Sequence, residues 1–272
     1  MKRSILIQLG GADGVDFETL VEEVGLAEEL GVDTVWCFPP AGEKGDFQGA
    51  APEIWLSALA RRTSRVRLGW GLAGMTPPSR PPMRVAEQGA SLDLASGGRL
   101  AVALLPDGEL LEGEGNAWHE GFRMLVGMWA EPTFSWTSPQ FEILPIDVVP
   151  KPIQRPHPPI WLAGWSADHA RRAGKRGLGF LDLSGAPDEM LEVHRDAYSE
   201  SRSEADPNDL VCVHAYAAAA DLEPGEAGLE RLARWQAAGF DHAVARVGPL
   251  EGGHAEAVER IRFLTSAETQ VH

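Results

Sequence analysis

The chain has 272 residues, of which 44% are hydrophobic and 24% charged, so it is long enough to bury a large core. Its formal net charge of −16 and pI of about 4.9 argue against nucleic acid and anionic membrane surfaces as partners. Two cysteines, Cys37 and Cys212, are too few for a disulfide framework. No apolar run approaches the roughly 18 residues of a membrane span, so we expect a cytoplasmic protein.

Short apolar runs alternate with amphipathic stretches along the chain. The run SILIQL predicts a first strand, and FETLVEEVGLAEELG after it has helical spacing; TVWCF, VRLGWGLA, RLAVALL and IWLAG continue the series of strands. A proline-rich excursion over residues 131–159 interrupts the alternation between the fourth and fifth units. About eight strand–helix units in this length predict a single domain over residues 1–272, folded as a (β/α)8 TIM barrel of α/β class.

A doubly wound open sheet is the alternative architecture. It requires a glycine-rich phosphate loop after the first strand, and LGGADG does not continue into that pattern. A GxGxxG does occur at residues 69–74, but it runs into MTPPSRPP, whose prolines forbid the helix that must follow. We therefore interpret it as a barrel strand with small residues near its end.

Three stretches carry a resemblance to a known family: EEVGLAEELGVDTVW, PPMRVAEQGASLDLASGGRL and VVPKPIQRPHPPIWLAGWSADHARRAGKRGLG. In this order they resemble the bacterial luciferase-like flavin-dependent oxidoreductases, from about residue 5 to 180. The resemblance implies a TIM barrel, reduced FMN or a deazaflavin as cofactor, and a small organic substrate that is oxidised. It also implies a homodimer or heterodimer formed through the second and third helices, where Trp55, Leu56 and Leu59 would supply an apolar patch.

The corner after the fifth barrel strand is the candidate cofactor site, formed by Ala163, Gly164, Trp165 and Ser166. Glycine would let the backbone approach a ligand, serine offers a hydroxyl, and the next helix offers free N–H groups. The resemblance implies that the flavin phosphate lies here. The alternative is that Ser166 only caps the helix.

Two stretches depart from the family pattern. Pro39, Pro40 and Ala41 stand where many relatives carry an acidic residue and two histidines, and residues 103–107 replace a glycine-rich run with ALLPD. The bulk of Leu104 and Leu105 would narrow a slot for a flavin ring. These departures favour a second hypothesis, a degenerate paralogue that has no cofactor and acts as a binding or partner subunit.

Four side chains remain as candidates for chemistry. Cys37 lies near the end of the second strand, and His214 and Tyr216 share one face of the seventh; we expect that face to point into the barrel, with Tyr216 nearest its open end. These three side chains would take part in a flavin-dependent reaction. A third hypothesis is that the barrel uses them to catalyse a reaction without flavin. Arg246, near the end of the eighth strand, would bind a phosphate or a substrate carboxylate.

Each candidate also has a structural explanation. Cys37 would be a small buried hydrophobe, the histidine and tyrosine would form a hydrogen-bonded polar layer, and Arg246 would form a surface salt bridge. No Cys/His cluster in the sequence has the spacing of a metal site.

Overall fold

Strands and helices alternate along the part of the chain that the computed structural model describes, which comprises residues 1–9, 16–40, 51–73, 81–106, 117–139, 141–203, 215–248 and 253–266. The barrel strands are β1 (Lys2–Gln8), β2 (Thr34–Phe38), β3 (Arg67–Ala73), β4 (Leu100–Leu105), β7 (Ile160–Gly164), β8 (Gly179–Asp182), β9 (Tyr216–Ala220) and β10 (His242–Gly248). The helices are α1 (Phe17–Glu29), α2 (Pro52–Arg62), α3 (Pro82–Ser96), α4 (Ala117–Ala130), α5 (Ala167–Lys175), α6 (Asp188–Arg202), α7 (Glu226–Ala237) and α8 (Gly253–Ser266). The excursion between α4 and β7 contains β5 (Phe134–Thr137) and β6 (Glu142–Ile146).

The barrel strands close into a ring in the order β1-β10-β9-β8-β7-β4-β3-β2. Closure is visible at β1, which pairs in parallel with β2 on one side and with β10 on the other. Strands β5 and β6 pair antiparallel as a hairpin outside the ring. The predicted (β/α)8 barrel with an excursion between its fourth and fifth units is confirmed, and the open sheet is wrong.

Three aromatic side chains, those of Trp36, Phe38 and Trp161, occupy the barrel interior. The ring centroid of Trp36 lies 6.3 Å from that of Phe38 and 5.8 Å from that of Trp161. Small residues on β3 make room for them: a Cβ on Gly71 would lie 2.6 Å from the Phe38 ring, and Gly69 lies against Trp36 in the same way. These two glycines of the GxGxxG pattern therefore lie in a barrel strand, as predicted, and they leave room for two rings of β2.

Two residues in the family-like stretch around α3, Asp93 and Arg99, make hydrogen bonds that hold other segments of the chain in place. Asp93 is fully buried, and it accepts hydrogen bonds from the backbone N–H groups of Ile153 and Gln154 at 2.7 and 2.9 Å. The guanidinium of Arg99 donates to the carbonyls of Ala60 and Val66. Both residues lie near the end of the barrel at which the strands begin. There Asp93 holds the excursion in place, and Arg99 holds the α2–β3 turn.

The prediction that α2 presents an apolar patch for pairing is wrong for its two leucines. Leu56 and Leu59 are fully buried because the helical period turns them toward the barrel. Trp55 packs against Phe17 of α1, with ring centroids 5.4 Å apart. Ile54 is the exposed apolar residue of this helix.

Candidate functional site at the barrel mouth

We call the edge at which the barrel strands end the mouth, because barrel enzymes carry their active sites there. The segments that follow β7, β8 and β9 are described. Those over residues 10–15, 41–50, 74–80, 107–116 and 249–252, which belong to the connections after β1, β2, β3, β4 and β10, lie outside the described residues. The geometry of the mouth is therefore built from its β7–β10 side.

The corner between β7 and α5 is held by a helix cap. Ser166 has extended backbone angles, φ −148° and ψ 160°, and its Oγ accepts from the backbone N–H of His169 at 3.3 Å. The predicted N-cap role is thus confirmed. A hydroxyl that accepts in a cap still carries its own hydrogen, which remains available for donation to an anion.

His169 fills the space next to Gly164, which explains the bare backbone there. A Cβ on Gly164 would lie 2.6 Å from the Cβ of His169. The backbone N–H of Trp165 donates to Nδ1 of His169 at 3.2 Å, and the two rings meet edge to face with centroids 4.8 Å apart. The glycine is required by this internal contact, whereas the sequence had suggested close approach of a ligand.

The imidazole of His169 is neutral near pH 7. Burial, assisted by the positive charge of Arg172, lowers its pKa to about 4. Because Nδ1 accepts from Trp165, the single ring proton is placed on Nε2. The indole of Trp165 is left 41% exposed at the mouth, and Ala163 is buried in the barrel interior below it.

Arg246 extends from the interior face of β10 to the same side of the mouth. It shares this face with Val244, and its Nη2 donates to the carbonyl of Leu183 at 2.7 Å. The backbone N–H of Leu183 donates in turn to the carbonyl of Gly164 at 2.6 Å. Two predicted cofactor residues, Gly164 and Arg246, are therefore connected through one residue of the β8–α6 segment.

The prediction that Tyr216 faces the barrel interior near the mouth is wrong. Tyr216 is the first residue of β9, at the opposite end of the strand, and it packs in the layer between barrel and helices. Its hydroxyl donates to Oδ2 of Asp182 at 2.7 Å, and Nδ1 of His194 lies 2.7 Å from the same oxygen. Burial, with the Asp182 carboxylate, raises the pKa of Tyr216 far above its usual range, so the phenol stays protonated and donates to Asp182.

Sequence reasoning missed Asp182 and His194. The available signal was a carboxylate in the otherwise apolar run LGFLDL, since a fully buried aspartate needs hydrogen-bond partners. Cys212 and His214, the other members of the predicted face, lie outside the described residues.

Cys37 does not reach the mouth. It lies next to the last residue of β2, but its side chain points to the helix layer and is fully buried. Burial raises the pKa of its thiol to about 12, so the nucleophilic thiolate is not formed at neutral pH. The small buried hydrophobe described above is the role that the structure supports.

The two leucines expected to narrow a flavin slot point in opposite directions. Leu104 faces the helix layer, and only Leu105 faces the barrel interior, beside Ala103. Pro39 and Pro40 follow β2 and offer no side-chain proton. The last residues of these two stretches, Ala41 and Asp107, lie outside the described residues.

The described residues fit a cofactor that carries a phosphate. Arg246 has five N–H donors, and within the described residues one of them is used, toward the Leu183 carbonyl. The Ser166 hydroxyl and the positive end of α5 lie on the same side of the mouth. The guanidinium of Arg246 and the hydroxyl of Ser166 therefore offer hydrogen-bond donors in the same part of the mouth.

The fold is a (β/α)8 barrel with Arg246 and Ser166 on one side of its mouth. The chain belongs to the luciferase-like monooxygenase family, since the model of that family matches residues 4–267. This confirms the family expected from the three sequence stretches.

The relatives include users of two cofactors. The F420-dependent glucose-6-phosphate dehydrogenase of Amycolatopsis mediterranei (strain U-32) is 29% identical over 196 residues, which cover 65% of this chain and 56% of that protein. The FMNH2-dependent dimethylsulfone monooxygenase of Pseudomonas putida is 28% identical over 183 residues, covering 61% and 48%. The chain thus spans about half the length of these curated relatives.

A solved structure supports the fold over nearly the whole chain. The monooxygenase RslO1 from Streptomyces bottropensis superposes with a TM-score of 0.78 at 20% identity, covering 99% of each chain. In the described parts of the chain, no helix has the length and apolar character needed to cross a bilayer. The same residues contain no group of three or more His, Cys, Asp or Glu side chains that could hold a metal ion.

Proposed function

We propose that the protein is an oxidoreductase that uses reduced FMN or the deazaflavin F420 to act on a small organic substrate. The observation that carries this proposal is the family match over residues 4–267, which spans the whole closed barrel. When bound, such a cofactor would supply the hydride or electron transfer, because the natural side chains have no equivalent redox chemistry.

Arg246 and Ser166 would hold the anionic part of the cofactor. The guanidinium is fixed at the mouth by its bond to the Leu183 carbonyl, and its remaining donors suit phosphate oxygens. The Ser166 hydroxyl and the first N–H groups of α5 would add further donors. The exposed indole of Trp165, kept in place by His169, would lie against a planar ring system.

His214 is our candidate for proton transfer to or from the substrate. It precedes β9, and its position in the structure lies outside the described residues. Tyr216 and Cys37 receive no role at the reacting atoms, because both side chains face the helix layer.

The second candidate function is a partner subunit without chemistry of its own. Pro39 and Pro40 favour it, since neither can transfer a proton where many relatives carry titratable side chains. Turnover by the isolated chain would contradict this candidate, whereas activity seen only with a related second chain would favour it.

Binding measurements test the cofactor proposal. Anaerobic titration with FMN, FMNH2 and F420 should give a Kd well below millimolar for one of them. Arg246→Gln should weaken that binding by about ten- to a hundredfold, because a charge-assisted hydrogen bond is lost. Arg171→Gln is the control, since Arg171 pairs with Asp168 on the surface of α5. Failure of all three cofactors to bind, or equal loss in both variants, would contradict the proposal.

A further inference from the structure

The surroundings of Arg246 include a carboxylate that is shared with a second arginine. Asp221, the residue after β9, has its Oδ2 3.8 Å from Nη1 of Arg246 and its Oδ1 3.3 Å from Nη1 of Arg260. Arg260 belongs to α8, and its Nη1 also donates to the backbone carbonyl of Arg246 at 3.1 Å. One guanidinium therefore fixes both the backbone that carries Arg246 and the carboxylate beside it.

Arg260 attracts Asp221 more strongly than Arg246 does. Its side chain is 5% exposed, and burial makes its charge depend on nearby carboxylates. Besides Asp221, it contacts Oε1 of Glu223 at 2.7 Å and Oε1 of Glu256 at 2.8 Å. Three carboxylates thus surround one guanidinium, and the local charge is negative before Arg246 is counted.

Arg246 is consequently compensated only in part. Its distance of 3.8 Å to Asp221 is too long for a hydrogen bond, although the two charges still attract each other. The Asp221 side chain is 58% exposed, so solvent and dissolved ions reach its carboxylate. An anionic group bound by this arginine would lie within a few ångströms of a like charge.

We propose that Asp221 is a specificity-determining residue, whose carboxylate, anchored on Arg260, limits how much a ligand's negative charge contributes to binding at Arg246. This inference rests on the proposed function, because it takes the phosphate of a flavin or deazaflavin as the anion. Removing the carboxylate charge should strengthen binding of the charged ligand and leave an uncharged analogue unaffected. If Asp221 served instead to orient Arg246, the same change would weaken binding, so the sign of the effect separates the two roles.

The test compares Asp221→Asn with Glu223→Gln. Glu223 lies two residues away and contacts the same Arg260, but no contact joins it to Arg246 among the described residues. Each protein is titrated with FMN and with riboflavin, which lacks the phosphate, at low and at high salt. If the wild type binds F420 and not FMN, the pair is F420 and its phosphate-free deazaflavin core. Circular dichroism verifies that both variants are folded.

For Asp221→Asn we expect the affinity for the phosphate-bearing ligand to rise about three- to tenfold at low salt, because a like charge has been removed. The gain should shrink at high salt, and the phosphate-free ligand should bind as in the wild type. Glu223→Gln should change neither affinity more than about twofold.

Three results would overturn the inference: weaker binding of the charged ligand to Asp221→Asn, an equal change for both ligands, or the same gain in Glu223→Gln. If the wild type binds the phosphate-bearing and the phosphate-free ligand equally, Arg246 does not recognise the phosphate. The inference then fails, while the proposed function stands. If the wild type binds no member of either pair, the proposed function itself fails.

Discussion

At the scale of single residues, Glu28 shows how one carboxylate fixes a turn far along the chain. Its side chain, in the last turn of α1, accepts hydrogen bonds from the backbone N–H groups of Ser64, Arg65 and Val66 at 2.7 to 3.1 Å. Burial of the group opposes ionisation, but these hydrogen bonds outweigh it and lower the pKa of Glu28 to about 2. The three backbone N–H groups bind the carboxylate in the way that the free N–H groups at a helix N-terminus bind an anion.

We predict that Glu28→Gln lowers stability in a pH-dependent manner. The folded-state pKa lies below the ordinary value of 4.5, so the stabilisation is fully present above pH 4.5 and is lost as the pH falls toward 2. At pH 7 the loss should be about 1 kcal/mol, reduced by partial solvent exposure. Urea unfolding at several pH values measures it, with the exposed Glu29→Gln as control. An equal loss at pH 3 and pH 7 would contradict the mechanism.

Cys37 leads to a second prediction at this scale. In a Cys212→Ser background, its thiol should not react with a disulfide reagent at pH 8 in the native state, because it is fully buried and its pKa is raised to about 12. Reaction should become complete in denaturant. Rapid labelling of the native protein would show that the side chain reaches solvent at the mouth.

At the scale of elements, the contact between β2 and β3 determines which residues β3 tolerates. Gly71→Ala would place a Cβ 2.6 Å from the buried ring of Phe38, and we expect a loss of about 1–3 kcal/mol from overpacking. Gly25→Ala in α1 is the matched control, since no atom lies within 4 Å of the added Cβ. That substitution should be neutral or stabilise by up to about 1 kcal/mol. Denaturant midpoints measure both, and equal effects would refute the packing argument.

The residue at which a helix ends can be predicted from the local sequence, but the face that a strand turns to the barrel interior cannot always be. Helix α3 ends at Ser96 with Gly97 in the left-handed conformation, which glycine adopts readily because it has no Cβ. Strand β9 carries four alanines after Tyr216, so neither of its faces has an apolar signal stronger than the other. Its interior face is formed by Ala217 and Ala219, which leave space for the large rings of neighbouring strands.

At the scale of the whole molecule, the closed ring gives each of the eight barrel strands two neighbours, so none of them can detach without breaking both pairings. The prediction of a single domain over residues 1–272 leads to one cooperative unfolding transition. Far-UV circular dichroism and tryptophan fluorescence should report the same midpoint in urea. Two separate transitions would indicate that part of the chain folds independently.

The sequence by itself determined the family, the number of units and the place of the excursion, because these depend on local periodicity and on motifs such as the segment around Asp93. It also placed Arg246 near the end of the last barrel strand, where the structure has it. It did not reveal that His169 fills the space beside Gly164, or that Tyr216 is bonded to Asp182. The first contact depends on the direction that the chain takes at the β7–α5 corner, and the second on the pairing of β8 with β9, and both are decided by the tertiary structure.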